Sequence, residues 1–117
     1  MIPIHRGILE TIYFRASESI KTAQDIVDIY QASYCDEPFV RVYPPGRIPE
    51  LKVVARTNFC DLAVKYDSKT RRSVVVALID NLGKGAAGQA MQNLNLALGW
   101  PETAGLIEEP AGMLEMA

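Results

Sequence analysis

The feature of this sequence that most constrains its fold is a pair of apolar segments separated by a short polar stretch. The segments are "FCDLAVKYD", residues 59–67, and "SVVVALIDN", residues 73–81. Both are rich in β-branched or aromatic residues, which favour strands. The intervening "DSKTRR" is too short for a crossover connection, so the two strands should pair as an antiparallel hairpin.

Three more strands and two helices are predicted around this hairpin. The strands are "GILETIYFRA" (7–16), "DEPFVRVYPPG" (36–46) and "ELKVVARTN" (50–58), and the helices span 17–34 and about 85–98. This order lacks the strict alternation of strands and helices that builds a doubly wound parallel sheet. We therefore expect an α+β domain with a largely antiparallel, mixed sheet of about five strands and two helices.

The first strand carries apolar side chains on both of its faces. Ile8, Ile12 and Phe14 fall on one side of a two-residue period, and Leu9 and Tyr13 fall on the other. Strands with two apolar faces are usually covered on both sides. The pattern predicts a central strand.

The helix boundaries have recognisable signals. Ser17 or Ser19 can cap the first helix. The second helix should end at Gly99, with Pro101 beyond it as a stop. The last 17 or so residues show no sustained periodicity and are predicted to form a tail.

Gly83, Gly85 and Gly88 have the G-x-G-x-x-G spacing of a dinucleotide-binding loop. In a dinucleotide fold this loop follows the first strand, and an acidic residue on a later strand binds the ribose about 20 positions on. Here the glycines lie near the end of the sequence, and the acids at that distance, Glu108 and Glu109, follow no strand. The topology therefore argues against an independent nucleotide-binding domain.

The helix that follows these glycines contains no charged residue between Gly85 and Gly99. Its apolar stripe includes Met91, Leu94 and Leu98, and most other positions are alanines or amides. A helix without charges is usually covered on most sides. We expect it to pack on another domain or subunit, while its glycine-rich start could offer free N–H groups to an anion.

Composition excludes several classes of protein. The 117 residues include 12 Lys or Arg and 14 Asp or Glu, for a net charge of -2, so no basic field indicates nucleic acid. No apolar run approaches the roughly 18 residues of a membrane span, and no secretion signal is visible. One histidine and two isolated cysteines, Cys35 and Cys60, argue against a structural zinc site. The sequence does not exclude a disulfide, although it favours buried or idle thiols of a cytoplasmic protein.

Three stretches together resemble a known enzyme family. They are "IPIHRGILETIY", "DEPFVRVYPPG" and "IDNLGKGAAGQAMQNLNLALGWPETAGL". They look like the C-terminal part of N-acetyl-gamma-glutamyl-phosphate reductases, and related aspartate-semialdehyde dehydrogenases share a similar "DNL-KGAA" segment. The resemblance covers essentially the whole sequence. It implies part of a domain like the C-terminal domain of glyceraldehyde-3-phosphate dehydrogenase.

The family's chemistry is a reduction by NADPH of N-acetylglutamyl phosphate to the semialdehyde in arginine biosynthesis. A cysteine thiolate forms a thioester, with a histidine as acid and base. The family's nucleophile lies in a P-G-C-(Y/F)-x-T motif, which the surroundings of Cys35 and Cys60 do not match. The family's histidine lies in an upstream H-R-H-x-P-E-like stretch, so His5 is expected to have a local structural or surface role. No catalytic residue is expected in this chain, which alone should be inactive.

Several binding residues are implied by the same resemblance. Asn81 would meet the nicotinamide carboxamide of NADP, with a turn or helix-capping role as the alternative. Gly83 and Gly85 would let the backbone approach the cofactor or another domain. Arg6 is a candidate for the substrate's carboxylate or phosphate, or for a salt bridge at a strand start. Asn58 matches a G-S-N segment of the family, although the two residues before it depart from that pattern.

The resemblance also predicts how the chain is organised. Residues 1–82 would belong to the catalytic and dimerisation domain, and residues 83–117 would pack on an N-terminal NADP-binding domain outside this chain. A homo-oligomer, a dimer or tetramer, is expected, with no nucleic-acid or membrane partner. The alternatives are a non-catalytic dimerisation or binding module of the same fold, or part of an aspartate-semialdehyde dehydrogenase-like enzyme.

Overall fold

The computed structural model describes residues 5–107. The elements in chain order are β1 (Ile8–Arg15), α1 (Ala23–Ser33), β2 (Val40–Val42), α2 (Leu51–Val54), β3 (Cys60–Asp67), β4 (Arg72–Ile79), a π-helical turn (Gly83–Ala87) and α3 (Gly88–Ala97). Within these residues the strands form a single mixed sheet in the order β1-β4-β3-β2. The predicted α+β class is confirmed.

The predicted hairpin forms the centre of the sheet. β3 pairs antiparallel with β4 along its whole length, from Cys60 opposite Ile79 to Asp67 opposite Arg72. β1 pairs antiparallel with the other side of β4, and only the short β2 runs parallel to its neighbour β3. Asp67 stabilises the hairpin turn because its carboxylate accepts the Lys69 N–H at 3.0 Å and the Thr70 hydroxyl at 2.7 Å. The expectation of a largely antiparallel, mixed sheet is confirmed.

Helix α1 covers one face of the sheet. Ile26 and Val27 pack on Leu62, Val64 and Val75 from the two hairpin strands, and all five side chains are buried. The helix begins later than predicted, at Ala23. Its cap is neither of the predicted serines but the threonine just before it, which forms a capping box with the aspartate three residues later.

The prediction of a strand over residues 50–58 is wrong. Leu51–Val54 forms one turn of helix, so the described residues contain four strands rather than five and one more helix than expected. Val54 is fully buried and Arg56 adopts a left-handed conformation, with φ of 64°. Burial of one valine and the turn after it outweigh the intrinsic strand preference of this segment, which depends strongly on context.

The prediction that the first strand is central is also wrong for the described residues. β1 has one neighbour, β4, and all eight of its residues are exposed. Ile8, Leu9, Ile12 and Tyr13 keep between 44% and 73% of their surface accessible. The two-sided apolar pattern is real, but α1 packs on β2 and β3 and does not cover it.

The C-terminal helix ends where predicted, since Gly99 has a φ of 69° directly after its last turn. Its buried residues are Gly88, Gln92 and Asn95, while Met91 and Leu94 are about half exposed. The helix therefore faces its own domain with amides and turns its apolar stripe outward. No helix of residues 5–107 is long and apolar enough to cross a membrane. Most of the predicted tail, with Glu108 and Glu109, lies outside the described residues.

Candidate functional site

The carboxylate of Asp80 organises the junction between β4 and the glycine-rich turn. Arg6 donates to it through two nitrogens, with Nε 3.0 Å from Oδ2 and Nη2 3.0 Å from Oδ1. The Asp80 side chain is fully buried, while that of Arg6 keeps 35% of its surface exposed. Paired contacts of this kind give both energy and a fixed orientation. One of the predicted substrate-binding residues is thus engaged in an ion pair.

Three backbone N–H groups complete the environment of Asp80. Arg56 donates to Oδ2 at 2.6 Å, and Leu82 and Gly83 donate to Oδ1 at 2.8 and 2.7 Å. Burial by itself raises the pKa of this carboxyl group, but the Arg6 guanidinium and the backbone donors outweigh burial and hold the pKa well below its ordinary value. Asp80 is therefore an anion that joins three separate chain segments.

Asn81 lies next to this anchor, at the strand-to-helix junction where it was predicted. Its Oδ1 accepts the backbone N–H of Gly7 at 2.9 Å. Its Nδ2 donates to no group of residues 5–107, and the side chain is only partly buried. The amide is thus held at its oxygen end.

The predicted glycines have different close neighbours. A Cβ on Gly83 would overlap the backbone carbonyl oxygen of Thr57. A Cβ on Gly85 would lie 3.2 Å from the carbonyl oxygen of Asp80, which is tight but without overlap. Gly83 is therefore required by the approach of another loop of the same chain. A contact of either glycine with a cofactor stays a prediction.

Asn58 lies on that neighbouring loop, and its side chain is buried. Its Nδ2 donates to Gln92 Oε1 at 3.0 Å, and Lys84 Nζ donates to the same oxygen at 2.6 Å. Gln92 Nε2 in turn donates to Glu102 Oε1 at 2.6 Å. Because a cation and a carboxylate fix the two ends of Gln92, they also fix the orientation of the Asn58 amide. The amide of Asn58 faces inward rather than toward solvent.

A small cleft is lined by the loop of residues 56–58 together with Gly83, Gly88, Gly105 and Leu106. Its volume is about 220 Å³. Pockets that hold drug-sized ligands occupy roughly 300–1,000 Å³. This cleft is too small for a whole dinucleotide. It could receive one ring or functional group at most.

A second buried charge cluster lies next to Phe59, the residue that follows the loop of residues 56–58. Arg41 Nε donates to Asp61 Oδ1 at 2.5 Å, and Tyr43 Oη donates to Asp61 Oδ2 at 2.8 Å. The Arg41 guanidinium lies 4.2 Å from the centre of the Phe59 ring, within range of a cation–π contact. Burial, followed by the hydrogen bond to Asp61, raises the pKa of Tyr43 to about 12.

The thiols and the histidine lie in unremarkable surroundings. Cys35 is exposed, Cys60 is partly buried, and neither forms a disulfide in the described part of the chain. Burial, with a smaller effect of Asp61, raises the pKa of Cys60, whereas a nucleophilic thiol needs a lowered value. His5 is exposed at the start of the described residues. That neither cysteine acts as a nucleophile stays a prediction.

The structure brings four of the five predicted binding residues to one end of the sheet. Arg6, Asn81, Gly83 and Gly85 surround Asp80, and Asn58 is linked to them through the loop that packs on Gly83. The sequence reasoning missed Asp80 itself, together with Lys84 and Gln92. An available signal was the acidic residue directly after a strongly apolar strand, where a buried charge requires a partner.

Comparisons with known proteins agree on one group of enzymes. Residues 1–81 match the family described as "Semialdehyde dehydrogenase, dimerisation domain". The chain is 49% identical over 110 residues to an N-acetyl-gamma-glutamyl-phosphate reductase of Geobacillus sp. (strain WCH70). This match covers 94% of this chain and 32% of that protein. It is 51% identical over 106 residues to the reductase of the same name from Citrifermentans bemidjiense, covering 91% and 30% respectively.

A third relative, from Desulforudis audaxviator, is 51% identical over 107 residues, covering 92% of this chain and 31% of that protein. It also carries the name N-acetyl-gamma-glutamyl-phosphate reductase. The chain spans about a third of the length of the curated relatives that it matches.

Proposed function

Because the chain belongs to the family of semialdehyde dehydrogenase dimerisation domains, we propose that it forms part of an N-acetyl-gamma-glutamyl-phosphate reductase. Identity near 50% to several reductases of that name, across more than nine-tenths of the chain, is the observation that carries this proposal. The reaction would convert N-acetylglutamyl 5-phosphate to N-acetylglutamate 5-semialdehyde, with release of phosphate, in the cytoplasm. NADPH would be the reductant.

Asn81 is the residue of this chain that best fits the cofactor. NADPH supplies a hydride when bound, and the enzyme must hold the nicotinamide ring in one orientation for the transfer. The N–H₂ group of Asn81 donates to no group of residues 5–107 and lies beside a glycine-rich turn, and the amide is held in place at its oxygen end. A carboxamide is a suitable partner for such a donor. The rest of the dinucleotide would be held by another domain, since the chain spans about a third of the length of its relatives.

Substrate contacts at Arg6 and Asn58 are proposed with a specific restriction. The Arg6 guanidinium already donates two hydrogen bonds to Asp80, and the Asn58 amide is buried against Gln92. A substrate anion could reach only the part of Arg6 that remains exposed. At Asn58 a substrate contact would involve the loop backbone rather than the side-chain amide.

The apolar surfaces support assembly with other domains. β1 exposes apolar residues on both faces, and α3 turns Met91, Leu94 and Leu98 outward. We assign the sheet of residues 1–82 to contacts between subunits in a dimer or tetramer. The apolar stripe of α3, within residues 83–117, would pack on the N-terminal NADP-binding domain. The family's description as a dimerisation domain, which matches residues 1–81, supports the first of these assignments.

A non-catalytic binding or dimerisation module is the alternative function. The exposed β1 strand favours it, since this surface could join two copies without any chemistry. Gel filtration of the purified chain should show a dimer or a larger species. A stable monomer would count against self-association through the sheet.

The reductase assay in the reverse direction tests the proposal, with N-acetylglutamate semialdehyde, NADP and phosphate as reactants. The 117-residue chain alone should give no turnover, since neither of its cysteines lies in the family's P-G-C-(Y/F)-x-T motif. The longer enzyme that contains it should be active. Turnover by the chain alone would refute the assignment of the catalytic thiol and histidine to another part of the protein. Inactivity of the longer enzyme with this substrate would refute the reductase proposal.

A further inference from the structure

Two dipeptides face each other immediately beyond the last backbone pair of the β1–β4 ladder. Residues 6–7 precede β1, residues 80–81 follow β4, and the ladder itself ends at Ile8 opposite Ile79. Side chains continue the pairing, with one bidentate ion pair and one hydrogen bond from a backbone N–H to a side-chain oxygen. We call residues 6–7 and 80–81 together the dipeptide clamp.

The clamp fixes which end of the Asn81 amide is available. A backbone N–H can only donate, so the atom of Asn81 that meets Gly7 must be the oxygen. The opposite end, Nδ2, then points away from the clamp and donates to no group of residues 5–107. Rotation of the amide by half a turn would place two donors in contact and lose the Gly7 bond.

The arginine of the clamp holds Gly7 in position for this bond. Gly7 has a φ of 121°, a conformation that side-chain-bearing residues rarely adopt. Its neighbour Arg6 is fixed through Nε and Nη2 to a carboxylate that also accepts three backbone N–H groups. Without this anchor, residues 6–7 would be tied to the 80–81 side only by the single Gly7 bond.

We propose that Arg6 is a positioning residue: through its ion pair with Asp80 it holds Gly7 against Asn81 Oδ1, so that Asn81 presents Nδ2 to an acceptor oxygen of the bound ligand. This inference rests on the proposed function, in which the acceptor is the carbonyl oxygen of the nicotinamide carboxamide. Arg6 then acts on cofactor binding through Asn81, separately from the contact that its exposed part could make with a substrate anion.

The first test uses the 117-residue chain and needs no ligand. In ¹⁵N NMR spectra, the wild type should show a protected Gly7 amide and one set of Asn81 side-chain N–H₂ signals. Arg6→Gln should lose Gly7 protection by about tenfold and broaden the Asn81 signals, since the bidentate ion pair that anchors residues 6–7 to Asp80 is lost. Arg15→Gln removes the same charge from exposed β1 and should change neither signal. Unchanged Gly7 protection in Arg6→Gln would overturn the clamp.

The second test uses the longer enzyme and separates positioning from substrate binding. Asn81→Asp keeps an oxygen for Gly7 but replaces the donor by an acceptor, so KM for NADPH should rise about tenfold with the Gly7 amide still protected. Arg6→Gln should raise KM for NADPH by a similar factor. The double variant Arg6→Gln/Asn81→Asp should be no worse than Asn81→Asp alone, because both changes remove the same contact.

The outcomes distinguish the two proposals. A rise in KM for the acyl phosphate in Arg6→Gln, with KM for NADPH unchanged, would make Arg6 a substrate ligand and overturn the positioning role. Multiplied effects in the double variant would also overturn it. If the enzyme proves inactive with this substrate, the reductase proposal fails, while the NMR result still decides whether the clamp orients Asn81.

Discussion

Replacing Asp80 by asparagine tests whether this buried carboxylate holds the candidate site together. Oδ2 accepts Arg6 Nε at 3.0 Å and the Arg56 N–H at 2.6 Å. If the asparagine oxygen keeps the Leu82 and Gly83 donors, its N–H₂ group must face these two other donors. Two hydrogen bonds to an anion are then lost. The N–H donors of Arg6 and Arg56 face the N–H₂ group of the asparagine, which is itself a donor.

The expected cost follows from the burial of the two partners. Removing one partner of a buried ion pair costs about 3–5 kcal/mol, because the other charge is left without compensation. Here Arg6 keeps 35% of its side chain exposed and can be rehydrated, which favours the lower end of that range. We expect Asp80→Asn to lower the free energy of unfolding by about 3 kcal/mol, a large part of the roughly 5–15 kcal/mol of a small domain.

Urea unfolding of the chain at pH 7 measures this loss as a lower midpoint at unchanged m-value. Asp28→Asn is the control, since Asp28 is exposed and, among residues 5–107, its carboxylate accepts a side-chain hydrogen bond only from Gln24; its cost should stay below about 0.5 kcal/mol. A loss below about 1 kcal/mol for Asp80→Asn would refute the view that this carboxylate is the anchor of the site.

The pH dependence of the same difference gives an independent check. The pKa of Asp80 is lowered on folding, so its contribution is complete above the unfolded value of about 3.9 and is lost as the pH falls toward the folded value. The difference in free energy of unfolding between wild type and Asp80→Asn should be constant from pH 8 to 5 and shrink below about pH 4. A gap independent of pH from 7 down to 2 would contradict a stabilising charge.

Three further predictions concern packing and backbone conformation. Gly83→Ala should lower the free energy of unfolding by more than about 2 kcal/mol, because its Cβ would overlap a backbone carbonyl oxygen. Gly85→Ala, whose Cβ would lie 3.2 Å from its nearest neighbour, should cost clearly less. Equal costs in urea unfolding would contradict the close approach at Gly83. Arg56→Gly should raise the thermal midpoint and stabilise the fold by about 0.5–1 kcal/mol, because glycine adopts a φ of 64° without strain. Arg56→Ala should not stabilise the fold. A gain in stability from the alanine variant would mean that the guanidinium, not the backbone conformation, is the source of the strain. Val27→Ala, in the core under α1, should cost about 2 kcal/mol by chemical denaturation, and Ile29→Ala on the exposed side of that helix should cost less than half as much.

The sequence predicted the elements whose signals are local. The β3–β4 hairpin follows from two β-rich segments joined by "DSKTRR", and the end of α3 follows from Gly99. The segment 50–58 could not be assigned in this way, since the burial of Val54 by residues far along the chain decides its conformation. Intrinsic strand propensity is a weak predictor of conformation in such short segments.

In the candidate site, too, residues in a local motif could be predicted from the sequence, whereas contacts between distant positions could not. Asn81 and Gly83 were predicted as binding residues from a motif of consecutive residues, and their contact with a cofactor stays a prediction. The ion pair of Arg6 with Asp80 joins positions 74 residues apart, and no spacing rule within one segment can reveal it. The inward direction of the amides on α3 was not predicted either, because a helix without charged residues has no charged face to mark the side that meets solvent.

The most direct test of the account is a crystal structure of the longer enzyme with NADP bound. Asn81 Nδ2 should lie about 3 Å from the carbonyl oxygen of the nicotinamide carboxamide, with Oδ1 still accepting the Gly7 N–H and Arg6 still paired with Asp80. A nicotinamide ring bound away from the β4–α3 junction, with no contact to Asn81, would contradict the proposed role of this chain in holding the cofactor.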